Sequence, residues 1–181
     1  MSYSGISIRE AMEKINHFSN GWYLPQVQRQ YVWGARYESE TYICLLLDSL
    51  FRRYPIGGLV LWETDKSVPF REFISDYYPS QFAKQVDSGR WGCHKSLVYD
   101  GQQRLQTLRS VLYYTFNGRM LCFNLMFEKE KAEADETGFF FIDKGVETPT
   151  HCIKMTELSV ISCNLIELTK FDLKYFGMIL K

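Results

Sequence analysis

Long apolar segments are missing from this sequence of 181 residues. No run approaches the roughly 18–20 apolar residues that are needed to cross a bilayer, so we expect no membrane-spanning segment. Met1 is followed by a polar helix pattern instead of the apolar core of a secretory signal. The five cysteines are odd in number and lack a CxxC pair, which is typical of reduced thiols rather than a disulfide framework. Together these absences predict a cytoplasmic protein.

The motifs of several catalytic and metal-binding classes are also missing. There is no G-x-x-x-x-G-K-S/T segment, which excludes a P-loop NTPase. No Ser or Cys catalytic triad finds support. The pairs Cys93-His94 and His151-Cys152 offer four potential zinc ligands. Adjacent residues of one pair seldom converge on one metal ion, however, so we do not expect a zinc site.

Composition indicates one packed domain over residues 1–181. Apolar residues make up 46% of the chain and aromatic residues 16%, which is enough for one good core. The net charge is zero, so overall charge does not indicate a nucleic-acid-binding protein. All ten arginines lie at or before Arg119. Because arginine makes bidentate phosphate contacts, an anion site is expected in the first two thirds, although chance also produces such an asymmetry.

Periodicity outlines the secondary structure. Apolar spacing predicts helices at residues 7–18, 38–54 and 102–116 and strands at residues 22–24, 58–62, 96–99, 120–127 and 139–142. The first helix begins with Ser7-Ile8-Arg9-Glu10, which has the S-x-x-E form of a capping box. Residues 63–95 lack periodicity and are predicted to form a long loop, which in a compact domain is usually functional or mobile. Helical spacing recurs after Thr156, and the apolar end at residues 176–181 indicates either a longer natural chain or a docked terminal helix.

The strongest candidate site is the turn Asp100-Gly101-Gln102-Gln103-Arg104, where a strand is followed by a helix. Free N–H groups and a partial positive charge at a helix N-terminus suit phosphate. Arg104 adds a fork of donors, Gln102 and Gln103 can orient a water or a ribose hydroxyl, and Asp100 can hold Mg²⁺. In the alternative interpretation Asp100 only caps the helix and both glutamines are solvated.

A second candidate follows the first predicted strand. Gln28 and Arg29 precede Tyr31 and Trp33, which combines a charged fork with aromatic faces. Such a segment can bind a phosphate and stack a base. Alternatively, Tyr31 and Trp33 belong to the core and Arg29 is an exposed salt-bridge partner.

Three motifs in this order resemble the N-terminal domain of GmrSD-type restriction proteins, a family related to the ParB/sulfiredoxin-like fold. The resemblance covers about residues 7–112, and little matches beyond residue 128. The motifs are Tyr23-Leu24-Pro25-x-x-Gln28-Arg29-x-Tyr31-Val32-Trp33, then Tyr54-Pro55-Ile56-Gly57 with Leu61-Trp62, then Asp100-Gly101-Gln102-Gln103-Arg104-Leu105-x-Thr107-Leu108.

The resemblance implies an α+β domain with a small mixed β-sheet flanked by helices, ParB/sulfiredoxin-like. It implies defence against foreign or modified DNA, with binding and hydrolysis of a nucleoside triphosphate, GTP or ATP, together with Mg²⁺. Gln28, Arg29, Gly101 and Gln102 would surround the phosphates, Tyr31 or Trp33 would stack on the base, and Asp100 would serve Mg²⁺. Catalysis would involve Asp100, Arg104 and Gln103, the last as the water-positioning residue.

Full-length relatives usually add a helical region and a C-terminal HNH nuclease, which this chain lacks. Residues 113–181 are expected to continue the same domain, so DNA cleavage is not expected from this chain alone. Gly92-Cys93-His94-Lys95 is similar to the Gly-Cys-His-Arg turn of sulfiredoxins but precedes its strand instead of following it, so no redox role is expected.

Two other functions stay open. One is a DNA-contacting module that senses modified DNA through Arg29 and Arg104 without turning over nucleotide. The other is a regulatory module that binds a nucleotide without hydrolysis and signals to a nuclease partner. DNA is thus an expected partner only through the full-length protein or that nuclease.

Overall fold

The computed structural model describes residues 5–17, 21–35, 38–79, 82–86, 94–128, 130–133 and 136–158. The predictions for the tail after Leu158, and for the turn at Gly92 and Cys93, lie outside these residues. In the described ranges the helices are α1 Ile8–Asn16, α2 Ser39–Phe51 and α3 Gln102–Tyr113, with a 3-10 turn at Trp33–Ala35. The strands are β1 Trp22–Pro25, β2 Val60–Thr64, β3 Phe70–Arg71, β4 Gln85–Val86, β5 Lys95–Asp100, β6 Arg119–Asn124, β7 Phe139–Asp143 and β8 Cys152–Lys154.

Helix α1 begins with the predicted capping box. The Glu10 backbone N–H donates to Ser7 Oγ at 3.2 Å, and the Ser7 backbone N–H donates to Glu10 Oε2 at 2.8 Å. Two helix-end donors are therefore satisfied reciprocally. The apolar side of the helix buries Ala11, Met12 and Ile15.

Helix α2 is shorter at both ends than predicted. Its C-cap is Arg52, and Arg53 follows in the left-handed conformation at φ 61°. A left-handed residue after the C-cap is a common way to end a helix. Arg53 therefore lies beyond the helix rather than in its last turn, whereas Arg52 pairs with Asp48 at 2.6 Å.

A five-stranded mixed sheet has the order β2-β5-β1-β3-β4. Strands β1 and β5 are parallel, with Trp22 opposite Ser96 and Tyr23 opposite Leu97, and the other neighbours are antiparallel. The predicted α+β fold with a small mixed sheet is confirmed. Because parallel strands end at the same edge of a sheet, the loop after β1 and the turn after β5 lie side by side.

A second sheet of three antiparallel strands has the order β7-β6-β8. Aromatic side chains connect it to the helices. Phe123 lies 4.7 Å from Phe139 and 5.1 Å from Phe51 of α2 between ring centroids. Strands β6 and β7 match the predicted strands, but β6 ends at Asn124, three residues before Phe127, and β8 was not predicted.

The segment predicted as a long loop contains β3 and β4, so that prediction was wrong for Phe70–Arg71 and Gln85–Val86. The described residues of this segment also supply core. Phe70, Phe73 and Tyr77 are buried. A Cβ at Gly34 would lie only 2.0 Å from the Tyr77 ring, so a glycine there lets Tyr77 approach the loop after β1. No helix in the described ranges is long and apolar enough to cross a membrane.

Candidate functional site

Gly101 makes the turn from β5 to α3 possible. Its φ is 90°, a conformation that side-chain-bearing residues rarely adopt. A Cβ at this position would also lie 2.2 Å from Leu59 Cδ2. The backbone angle therefore favours glycine, and a larger residue would also have to displace the end of the Leu59 side chain.

The N-terminus of α3 has no side-chain cap. Gly101 is the N-cap residue, and the first backbone bond is donated by Leu105 to the Gly101 carbonyl at 3.0 Å. The backbone N–H groups of Gln102, Gln103 and Arg104 have no partner among the described residues. Asp100 does not cap the helix, which corrects that alternative interpretation. Its exposed carboxylate lies 3.5 Å from Arg104 Nη2.

Gln103 connects α3 to the loop after β1. Its Oε1 accepts from the backbone N–H of Val32 at 2.9 Å and of Trp33 at 3.4 Å, and its Nε2 donates to the Gln30 carbonyl at 3.2 Å. The residue is 7% exposed. The interpretation that both glutamines are solvated is wrong, since Gln102 is equally buried. Both the oxygen and the nitrogen of the Gln103 side-chain amide are therefore hydrogen-bonded to backbone groups.

Gln102 makes a similar but incomplete connection. Its Nε2 donates to the Arg29 carbonyl at 2.8 Å, and its Oε1 is buried without a partner among the described residues. Gln28 Nε2 donates to the carbonyl of Tyr99 at the end of β5 at 2.9 Å. The Arg29 side chain is exposed and forms no ion pair with a described residue.

Arg104 is directed to a different segment. Its Nη1 donates to the Ile56 carbonyl at 2.5 Å and its Nη2 to the Gly58 carbonyl at 2.7 Å. Gly57 between them has φ 90°, and a Cβ there would lie 2.8 Å from Arg104 Nη1. The guanidinium therefore fixes the turn at residues 56–58.

The three sequence motifs thus meet at the first turn of α3. A comparison with known families gives the same family that these motifs resemble. A model of the GmrSD restriction endonuclease N-terminal domain matches residues 8–176. The chain belongs to this family. No curated protein matches the sequence. The membership makes the chain a component of a restriction system. The match continues past residue 112, where the resemblance seen in the sequence ends, through β6, β7 and β8.

The aromatic residues of this GmrSD N-terminal domain differ in their surroundings. The Tyr31 hydroxyl shares a hydrogen bond of 2.6 Å with Thr107 Oγ1, and its ring lies 4.8 Å from that of Tyr77, edge to face. Burial raises the pKa of Tyr31 far above its ordinary value. Tyr31 is thus packed against the core, as one sequence interpretation has it. Trp33 is half-buried in the 3-10 turn beside Gln103.

A small cavity, here called the loop cavity, lies between the loop after β1 and α3 of the GmrSD domain. Its polar lining residues are Arg29, Gln30, Tyr31, Arg71, Gln102, Gln103 and Gln106. Among the described residues, no carboxylate lines it. Its volume of about 10 Å³ is what one water molecule needs.

Sequence analysis missed Arg71 and Gln106 in this GmrSD site. Gln106 is 2% exposed and bonds both the N–H and the carbonyl of Ile74 at 2.8 Å. Arg71 is 4% exposed, and burial lowers its pKa. The spacing of Gln106 from Gln102, one helical turn, was a usable signal for the former, since residues four apart share a helix face.

A larger cavity of about 470 Å³ adjoins Arg104 on the side of the 56–58 turn. It is lined mainly by apolar side chains of α1, α2 and α3, with Arg53, Tyr54 and Arg104 among its polar residues. Its size is within the range of small-molecule sites. Tyr54 is 59% exposed there.

The residues also fit a magnesium-bound nucleotide at Asp100. Mg²⁺ is usually held by one or two carboxylates together with substrate phosphates and waters. The carboxylate of Asp100 is 70% exposed, one residue before the uncapped N-terminus of α3. Among the described residues no group of three His, Cys, Asp or Glu side chains can hold a metal ion.

Proposed function

We propose that this GmrSD N-terminal domain binds a nucleoside triphosphate with Mg²⁺ and hydrolyses it, as the regulatory domain of its restriction system. The observation that supports this most is the N-terminus of α3, which has no side-chain cap, beside Arg29, which forms no ion pair with a described residue. Three backbone N–H groups without described partners lie at the edge where β1 and β5 both end. Such a helix end carries about half a positive elementary charge, which favours phosphate.

The side chains around this helix end have separate roles in the proposed function. Arg29 supplies an exposed positive charge for the phosphates, and Asp100 a carboxylate for the metal that accompanies them. Gln103 and Arg104 are positioning residues, because their polar groups hold the loop after β1 and the 56–58 turn. Gln28 holds the same loop to the end of β5.

Hydrolysis in this proposal relies on positioned charge and an oriented water, without a covalent nucleophile. An orienting group needs a free acceptor for the water proton. Gln102 Oε1 is unpartnered, whereas Gln103 Oε1 already accepts two backbone bonds. We therefore assign the water to Gln102, while the sequence-based choice of Gln103 stays a prediction that turnover assays must test.

The test is a calorimetric titration of the domain with GTP and ATP in the presence of Mg²⁺. We expect micromolar binding that Arg29→Ala weakens on the order of tenfold, about 1.4 kcal/mol. Arg9→Ala, which removes an exposed arginine on α1, is the matched control and should bind like wild type. Absence of binding by either nucleotide in a folded sample would refute the proposal. Trp33→Ala and Tyr54→Ala, titrated beside these, distinguish the two aromatic rings that can stack on the base.

The same exposed Arg29 also suits a phosphate of DNA, which keeps the DNA-contacting function as a second candidate. That function predicts no preference for free nucleotides. It also predicts that the logarithm of the affinity for duplex DNA falls linearly with the logarithm of the salt concentration, by about 0.9 per neutralised phosphate. A nucleotide-binding module without turnover would show heat on titration but phosphate release at background.

A further inference from the structure

Arg71 is a buried cation beside the loop after β1, which borders the proposed site. It lies on β3 opposite Leu24 of β1, so its side chain reaches the loop that follows β1. Its Nη2 donates to the carbonyls of Gln28 and Pro25. Its Nε is buried and has no partner among the described residues.

The charge of Arg71 is not compensated by a described carboxylate. Other arginines of the domain do have one, namely Arg52, Arg104 and Arg119. Burial lowers the pKa of Arg71, and no acidic side chain in the described ranges opposes that effect. A buried, unpaired charge costs free energy unless a counter-charge is supplied.

The surroundings of Arg71 suit an anion. Arg71 and Arg29 both line the loop cavity, whose other described polar residues are four glutamines and Tyr31. The cavity has room for one oxygen-sized group. A terminal phosphoryl group can place one free oxygen there, whereas a DNA phosphodiester is esterified on two oxygens and attached to bulky chain on both sides. Gln102 Oε1, which is also buried without a partner among the described residues, can accept from a hydroxyl or water that accompanies the phosphate.

We propose that Arg71 binds an oxygen of the nucleotide's terminal phosphate at the loop cavity, and thereby supplies the inner positive charge of the site while Arg29 supplies the outer one. This inference rests on the proposed function for the identity of the ligand. It adds a phosphate-binding residue from β3, outside the three sequence motifs.

The experiment compares Arg71→Met with Arg109→Met in the same nucleotide titration. Arg109 is the control, because it is also buried and forms no ion pair with a described residue, although the charge of Glu72 partly opposes the effect of burial on its pKa. Its Nε, Nη1 and Nη2 all donate, to Asn16, Phe73, Ser75 and Tyr114. Arg71→Met should lower nucleotide affinity on the order of a hundredfold. Its unfolding temperature without ligand should change little, because an uncompensated charge is removed. Arg109→Met should do the opposite: a lower unfolding temperature and unchanged affinity.

Nucleoside and DNA serve as comparison ligands. Arg71→Met should leave adenosine or guanosine binding unchanged, since neither carries a phosphate. Wild-type nucleotide affinity in a folded Arg71→Met variant would overturn the inference while leaving the proposed function in place. Weaker binding of a short DNA duplex, with nucleotide binding intact, would also overturn it. If wild type binds neither nucleotide nor inorganic phosphate, the proposed function and the inference fail together.

A measurement on the wild-type chain covers the case in which Arg71→Met does not fold. In a ¹⁵N-labelled sample, the Nε–H resonances of Arg71 and Arg109 are assigned through their side-chain bonds. Inorganic phosphate is then titrated. The Arg71 Nε–H resonance should shift with saturation while that of Arg109 stays in place. Equal shifts, or none at Arg71, would overturn the inference.

Discussion

Replacing Gln103 with alanine separates a positioning role from a catalytic one. The side chain is 7% exposed and makes hydrogen bonds at 2.9, 3.2 and 3.4 Å with backbone groups of Val32, Gln30 and Trp33. A typical hydrogen bond contributes about 1 kcal/mol net, and an orphaned buried donor costs about 1–3 kcal/mol. The longest bond contributes least. We therefore expect Gln103→Ala to lower the free energy of unfolding by about 3 kcal/mol.

Gln102→Ala is the comparison, because Gln102 has one such bond, to Arg29, and an unpartnered Oε1. Its expected loss of stability is about 1 kcal/mol. Turnover should fall much further in this variant than in Gln103→Ala, once both are assayed at temperatures where they are folded. Urea unfolding gives the free energies, and phosphate release under saturating nucleotide gives the turnover.

The size of the stability effect is large enough to measure thermally. For a chain of this length, 1 kcal/mol shifts the unfolding temperature by roughly 2–4 °C, so Gln103→Ala should lose roughly 6–12 °C. The reasoning is refuted if Gln103→Ala unfolds like wild type yet binds nucleotide without hydrolysing it. That outcome would restore Gln103 as the water-positioning residue.

Three further predictions test the frame around the site. Gly101→Ala should destabilise the domain by about 2 kcal/mol or more, because φ 90° is strained for alanine and its Cβ would meet Leu59 at 2.2 Å; urea unfolding measures this. The Ser7 backbone N–H, more than the Ser7 hydroxyl, holds the pKa of Glu10 below its ordinary value of 4.5. A lowered pKa means that the cap contributes stability above about pH 4.5 and that this contribution is lost as the pH falls through the lowered value. Protection of the α1 amides from hydrogen exchange should therefore decrease over this pH range in wild type but not in Glu10→Gln. Burial raises the pKa of Cys44 to about 12 and of Cys122 to about 11, so at pH 8 neither thiol should react with iodoacetamide until urea unfolds the chain, as mass spectrometry can show.

The sequence was informative where periodicity is long. Helices α1, α2 and α3 and strands β5 to β7 each have enough residues for apolar spacing to reveal a buried face. Strands β3 and β4 have two residues each and carry no such pattern. Strand β3 pairs with β1, which comes from a distant part of the chain, and β4 pairs with β3.

The position of the candidate site in the sequence could be predicted, but the contacts of its side chains could not. The strand, glycine and helix pattern at Asp100 to Gln102 is local, so the turn could be inferred from its residues. The partners of Gln102, Gln103 and Arg104 come from residues 29–33 and 56–58, and only the folded chain brings these together. An arginine in a segment without periodicity is normally solvated. Burial of Arg71 was therefore beyond the reach of pattern analysis.

In the first turn of α3 the side chains and the backbone N–H groups have different roles, and this affects how variants of the motif should be interpreted. The side chains of Gln103 and Arg104 hold two neighbouring loops, while the backbone N–H groups of the same turn stay unpartnered for a ligand. Loss of activity on substituting either side chain follows from displaced loops alone, since a shift of about 1 Å in a positioned group can cost about a hundredfold in rate. Contact with the ligand can be assigned to a side chain only when affinity falls while stability does not. By that criterion Arg29 and Arg71 are the informative positions, because neither charge is paired with a carboxylate among the described residues.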